Sequence, residues 1–174
     1  ALGATVPGDG VDFAVDAGHA DAVEICLFDT GDSTGASERR IPLPDSAHGT
    51  WFGSVPGLGV GARYGMRAHG PWQPTQGLRY NADKLLVDPY ARALEGMVTW
   101  RPEVFGHVVD TGLQGDPDFR DTRDSAPYVP RAVVVDGRFD WGDDAPPSVP
   151  WSQMVIYEAH VRNLTTRHPD IPEA

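Results

Sequence analysis

Cysteine is almost missing from this chain: Cys26 stands alone among 174 residues. No intrachain disulfide can form, and nothing argues for an oxidising compartment; the lone thiol is expected in the core. Long apolar runs are missing too. No window approaches the ~18 apolar residues of a membrane span, and Ala1 to Thr5 has no basic segment followed by an apolar run, which assigns the chain to the cytoplasm. Cations are scarce, 14 Lys and Arg against 25 Asp and Glu, for a formal charge of −11. Nucleic acid and anionic membrane surfaces are bound through clustered cations, so both are excluded as partners, and a neutral ligand fits better. No short motif repeats at a fixed period.

Glycine and proline are plentiful, 20 and 16 residues. With an ordinary apolar fraction, that suits many short strands joined by tight turns, as in a sandwich. The length allows one ordinary domain and part of another. Apolar residues alternate at Val11, Phe13 and Val15 and again at Val23, Ile25 and Leu27, the period of half-buried strands. Gly31 to Arg40 reads as a polar loop. Thr50 to Val55 and Arg63 to His69 frame Pro56 to Gly61 as a hairpin. The period changes at Asn81 to Glu95, where Ala82, Leu85, Leu86 and Tyr90 are spaced for a short helical turn that Pro89 interrupts. Asp110 to Pro130 reads as a long ordered loop or linker, Val133 to Val135 as a further strand, and Asp143 to Pro150 as a stiff connector. Val155 to Val161 has the length and β-branched content of a strand, and the sequence ends soon after it, so its strand partners are expected outside the chain.

Several motifs invite chemistry. Asp29-Thr30-Gly31 and Asp110-Thr111-Gly112 are the two triplets an aspartic protease half would need for carboxylates sharing one proton. Strand-end turns explain them more simply, and neither is followed by Ser, Thr or Ala. Gly57 to Gly61 lacks the helix that a phosphate loop requires. Asp116 to Asp121 has Arg120 where a calcium ligand belongs. The six histidines have no ligand spacing, and no Gly-x-Ser-x-Gly elbow occurs, so no metal, cofactor or nucleophile is assigned. Asn163-Leu164-Thr165 matches a glycosylation acceptor, without meaning in the cytoplasm. Aromatic residues remain: Trp51, Trp72, Tyr80, Trp100, Trp141 and Trp151. Flat rings stack on the C–H faces of sugars while polar groups take the hydroxyls; the alternative for each ring is core or domain interface. Trp72, in Gly70-Pro71-Trp72-Gln73-Pro74, is expected to be the most exposed.

Taken in order, Leu2 to Thr5, Val11 to Val15, Ala22 to Asp29, Tyr64 to Trp72, Arg79 to Ala91, Phe139 to Asp144 and Val155 to Arg162 resemble the N-terminal part of isoamylase-type glycogen debranching enzymes of glycoside hydrolase family 13. The resemblance implies a mainly β fold. Residues 1–100 would form an immunoglobulin-like sandwich of carbohydrate-binding module family 48, residues 101–150 a linker and interface segment, and residues 151–174 the first strand of a truncated (β/α)8 barrel. Such enzymes hydrolyse α-1,6 branch linkages of glycogen with an Asp nucleophile and a Glu acid/base. By resemblance both lie on later barrel strands, so no catalytic residue is assigned here. The chain itself is then a glucan-binding or barrel-bracing module. Trp72, Tyr80 and Trp51 are its candidate glucan contacts, and glycogen or another branched α-glucan and the missing barrel are its partners. A purely structural module without glucan affinity is the alternative. The Val155 to Val161 strand, left without neighbours, is expected to self-associate or to be disordered.

Overall fold

The structure is a computed structural model that describes residues 1–109, 115–164 and 169–170. It divides into two compact units, Ala1–Gly137 and Arg138–Ala174. The first unit contains two antiparallel sheets. One has the order β1 (Gly3–Gly8), β2 (Gly10–Asp16), β6 (Thr50–Val55), β5 (Asp45–Ala47). The other has the order β10 (Ala93–Glu95), β13 (Arg131–Val133), β7 (Arg63–His69), β3 (Ala22–Phe28), β4 (Arg39–Pro42). Their facing sides meet in one core. Val11, Phe13 and Val55 come from the first sheet, and Val23, Ile25, Leu27, Tyr64, Met66 and Ala68 from the second. Phe13 and Tyr64 join the layers edge to face, with ring centroids 5.0 Å apart, an arrangement aromatic quadrupoles favour. This is a β-sandwich, built from the period-2 alternation the sequence carries.

The five-stranded sheet is covered on its other face as well. Cys26 and Phe28 point there and pack with Leu85 and Ala126, which is why β3 is buried at four consecutive positions rather than alternating. Gly65 makes this layer possible, because a Cβ at that position would stand 2.7 Å from Leu85 Cδ1. Arg67, fully buried, also points outward. Its guanidinium donates to Glu38 Oε1 at 2.6 Å and Oε2 at 2.7 Å, to Asp124 Oδ1 at 2.8 Å and to the Ala82 carbonyl at 2.9 Å.

Three sequence expectations change. Thr50 to Val55 and Arg63 to His69 are not a hairpin: β6 pairs with β2 and β5, whereas β7 pairs with β3 and β13. Residues 56–62 carry the chain from one sheet to the other, so both strands send apolar side chains into the same core from opposite sides. The helical turn expected after Asn81 is absent. Leu86 instead exchanges both backbone hydrogen bonds with Met66, at 2.9 and 2.8 Å, so the segment gains its backbone partners from the sheet and needs none from a helix. In the second unit, the strand expected over Val155 to Val161 does not form. Residues 154–160 have no regular structure and are exposed, and a single helical turn follows at α1 (Val161–Leu164). Val155, Ile156 and Tyr157 are 91%, 76% and 80% exposed. A strand of this apolar kind is held by ladders on both edges, and among the described residues none flanks it.

Candidate functional site

A short hairpin positions the site. β8 (Trp72–Gln73) pairs with β9 (Leu78–Arg79) around a 3-10 turn at Pro74–Gln76. Gly77 closes that turn with φ +81°, and its N–H donates to the Pro74 carbonyl. Proline supplies the fixed φ that starts the turn, and glycine the left-handed one that ends it. The Tyr80 N–H donates to the Pro71 carbonyl at 3.3 Å, and the Tyr80 ring lies across Gly70, where a Cβ would come within 2.7 Å of it. The Tyr80 hydroxyl accepts the His19 backbone N–H at 3.3 Å.

Beside this ring opens a cleft of about 600 Å³. Its deep part is apolar, formed by Val15, Ala17, Val23, Met66 and Ala68, while Asp16, His19, Arg79 and Tyr80 stand at its edge. Val104 and Gly106 close one side, next to Asn81 and Lys84. An apolar floor with a ring and a few polar groups around it suits a neutral ligand that has both hydroxyls and C–H faces. Nothing in this lining pairs a nucleophile with a base.

The polar side of the cleft is tightly bonded. Lys84, 5% exposed, donates to the Glu103 carbonyl at 2.8 Å, the Arg123 carbonyl at 2.7 Å and Asp121 Oδ1 at 3.0 Å. All three ammonium protons are thus used. Burial pushes the Asp121 carboxyl up, but hydrogen bonds from Arg123 and Lys84 outweigh it and hold the group well below the usual carboxylate range. Glu38 behaves alike: burial raises it, and the Arg67 guanidinium and the Cys26 thiol together lower it further. Burial, then the hydrogen bond to Asp88, pushes the Tyr64 hydroxyl above its ordinary value, and Tyr64 Oη donates to Asp88 Oδ2 at 2.6 Å.

Of the three candidate contacts, the structure brings only Tyr80 into the cleft. Trp72 is half-buried. Its indole N–H donates to the Asp118 carbonyl at 3.1 Å, and its ring lies against Gly106, behind the cleft wall. Trp51 sits in β6, opposite Val15 and Ser46, and packs against the sandwich core. The expectation that Trp72 is the most exposed ring fails, because the strand pair β8–β9 folds it inward; Trp100, 76% exposed, takes that place in the first unit. Sequence reasoning missed His19 and Met66. Met66 carries no signal beyond its strand. Asp29 is exposed at the end of β3, with its N–H donating to Ser37 Oγ at 2.9 Å; Asp110-Thr111-Gly112 lies outside the described residues. No helix among the described residues is long and apolar enough to cross a membrane.

The model of a family described as carbohydrate-binding module 48 (isoamylase N-terminal domain) matches residues 1–91. Among curated proteins, the chain is 49% identical over 172 residues to a glycogen debranching enzyme of Cronobacter sakazakii and 47% identical over 172 residues to that of Serratia proteamaculans. Each match covers 99% of this chain and 24% of the relative, so the chain spans about a quarter of their length. Among solved structures, the catalytic module of the multi-modular glycogen-degrading pneumococcal virulence factor SpuA aligns with 78% of this chain and 16% of its own, at TM-score 0.52 and 20% identity. That likeness speaks for the fold alone.

Proposed function

The chain belongs to the carbohydrate-binding module 48 (isoamylase N-terminal domain) family, and from that premise we propose that it is the N-terminal, non-catalytic module of a cytoplasmic glycogen debranching enzyme that hydrolyses α-1,6 branch linkages. The module binds an α-glucan chain, and the observation that carries this reading is the Tyr80 cleft. The ring, the apolar floor and the polar edge match the two-sided chemistry of a glucose polymer. The charge of −11 is compatible with a neutral polysaccharide. Trp72 supports the site from behind, and Trp51 offers a separate contact on the four-stranded sheet.

Co-sedimentation of the chain with glycogen tests this, with folding matched by circular dichroism. Wild type should pellet with glycogen, and Tyr80→Ala should weaken retention by about 10-fold, the scale of one lost ring contact. A folded wild type that stays in the supernatant would sink the reading. A second reading then takes its place, in which the module only braces a catalytic barrel. The exposed apolar side chains of Leu94, Met97, Val98 and Trp100, all within seven positions of the chain, favour it, because apolar groups left in water mark contact sites when they gather.

A further inference from the structure

Lys84 is the only lysine in the chain; every other cationic side chain is arginine. It is also buried, where three oxygens converge on one point. A compact ammonium satisfies that geometry, and a planar guanidinium fork does not. The three oxygens belong to residues 103, 121 and 123. Asn81, three positions earlier, donates through Nδ2 to the carbonyls of Gly106 at 3.0 Å and Asp121 at 2.8 Å. The same segment continues the pattern: the Leu85 N–H donates to Ser125 Oγ at 2.8 Å, and the Ser125 N–H to the Asp83 carbonyl at 3.2 Å.

Residues 81–85 therefore grip two stretches, 102–108 and 116–126, which are joined to each other by the pair β11 (His107–Val108) and β12 (Asp116–Arg120) and by the Asp121 N–H donating to the Gly106 carbonyl at 3.0 Å. These stretches form a strap whose middle has no apolar burial of its own: β12 is exposed along its whole length, and Ala126, at the far end, anchors it to Cys26, Phe28 and Leu85. Yet Val104 and Gly106, which the strap carries, are one wall of the cleft, and the residues gripping them, Asn81 and Lys84, line the same cleft. We propose that Lys84 and Asn81 are positioning residues for the ligand, holding the Val104–Gly106 wall so that docking of the strap and occupation of the cleft are one coupled equilibrium.

The ligand half of this rests on the glucan reading. Coupling is reciprocal: whatever undocks the strap weakens the ligand, and the ligand protects whatever the strap covers. The sole lysine is its own reporter, because its amine can be acylated only when the strap lifts. Pulsed acetic anhydride labelling of the intact 174-residue chain, followed by mass spectrometry, gives the Lys84 rate relative to N-acetyl-lysine. Wild-type Lys84 should react at least ~100-fold more slowly, as a locally protected group does. Maltoheptaose at about 100 times its dissociation constant should slow it by up to ~100-fold more. Asp121→Asn should speed labelling, and maltoheptaose affinity should fall with the docked fraction that the labelling rate reports: little while Lys84 still reacts about 10-fold more slowly than N-acetyl-lysine, and at least about 2-fold once the two rates come within a factor of about two. Val11→Ala, a core change of comparable effect on thermal stability, should leave affinity in the folded state unchanged, which separates positioning from mere stability.

Bound maltoheptaose that leaves the labelling rate unchanged overturns the proposal, and so does Asp121→Asn labelled as fast as N-acetyl-lysine but with wild-type affinity. Should Asp121→Asn not fold, Lys84→Met replaces it, with amide exchange at Asp121 as the readout. If wild type binds no maltoheptaose, the glucan reading falls on its own and the coupling with it. The wall-holding role is then decided by Lys84→Met: exchange at the Asp121 amide about 10-fold faster supports it, and unchanged exchange refutes it.

Discussion

The two faces of the five-stranded sheet are buried by opposite means. Toward the sandwich, Val23, Ile25, Leu27, Tyr64, Met66 and Ala68 pack as an apolar layer. On the reverse face, at alternate positions of the same strands, Cys26, Gly65 and Arg67 meet residues 81–85 and 120–131 through ions, carbonyls and a few apolar contacts. Apolar burial is non-directional and tolerates repacking, whereas a buried ion pair must keep its geometry or leave a charge uncompensated. The inner face thus supplies stability, and the outer face supplies a particular placement of the segments that wall the cleft.

The strongest way to break the comparison is through the inner face. Phe13→Ala should lower the unfolding free energy by about 4 kcal/mol, read from the denaturant midpoint, with both sheets melting together. Arg67→Met, on the outer face, should cost about 3 kcal/mol by leaving Glu38 buried against too few donors. Adding Glu38→Leu in the same chain should regain most of that loss; a double variant as weak as the single would mean the outer face depends on more than ion pairing.

Acid separates the faces further. Glu38 and Asp121 both titrate below their ordinary range in the folded state, so their contribution is complete above about pH 5 and is lost as pH falls through about 4 and lower. Thermal midpoints should be level from about pH 7 to 5 and then drop. In the Arg67→Met, Glu38→Leu double variant the drop should be shallower, because the depressed carboxylate of Glu38 is gone. The smallest effect is expected at the surface: Trp100→Ser should change stability by less than about 0.5 kcal/mol, and a larger loss would show that the exposed ring is held by contacts within the module.

Much of the sandwich was legible because alternation is a local property. Val11, Phe13, Ile25 and Leu27 announce strands and an inward face without reference to anything distant. Tyr80 was legible as a candidate by its residue type, a flat ring with a polar tip. The exposure of Trp72 was misjudged because a strand pair two residues long, closed by a proline and a glycine, turned its ring onto Gly106. The supposed hairpin failed for a related reason, since strand propensity carries no information about which sheet a strand enters. Val155 to Val161 has strand composition without strand neighbours among the described residues, and composition alone does not supply a ladder.

By itself, then, the sequence determined the fold class, the strands over Val11 to Val15, Val23 to Leu27, Thr50 to Val55 and Arg63 to His69, and the family resemblance, since these rest on side-chain alternation, turn residues and ordered local motifs. Only the tertiary structure decided that the sole lysine is buried, that Asn81 and Lys84 hold the segments around residues 104 and 121, and that Tyr80 shares a cleft with Val15 and Met66. Those outcomes depend on desolvation and on hydrogen bonds between residues 40 and 61 positions apart, and neither exists until the sheets have closed.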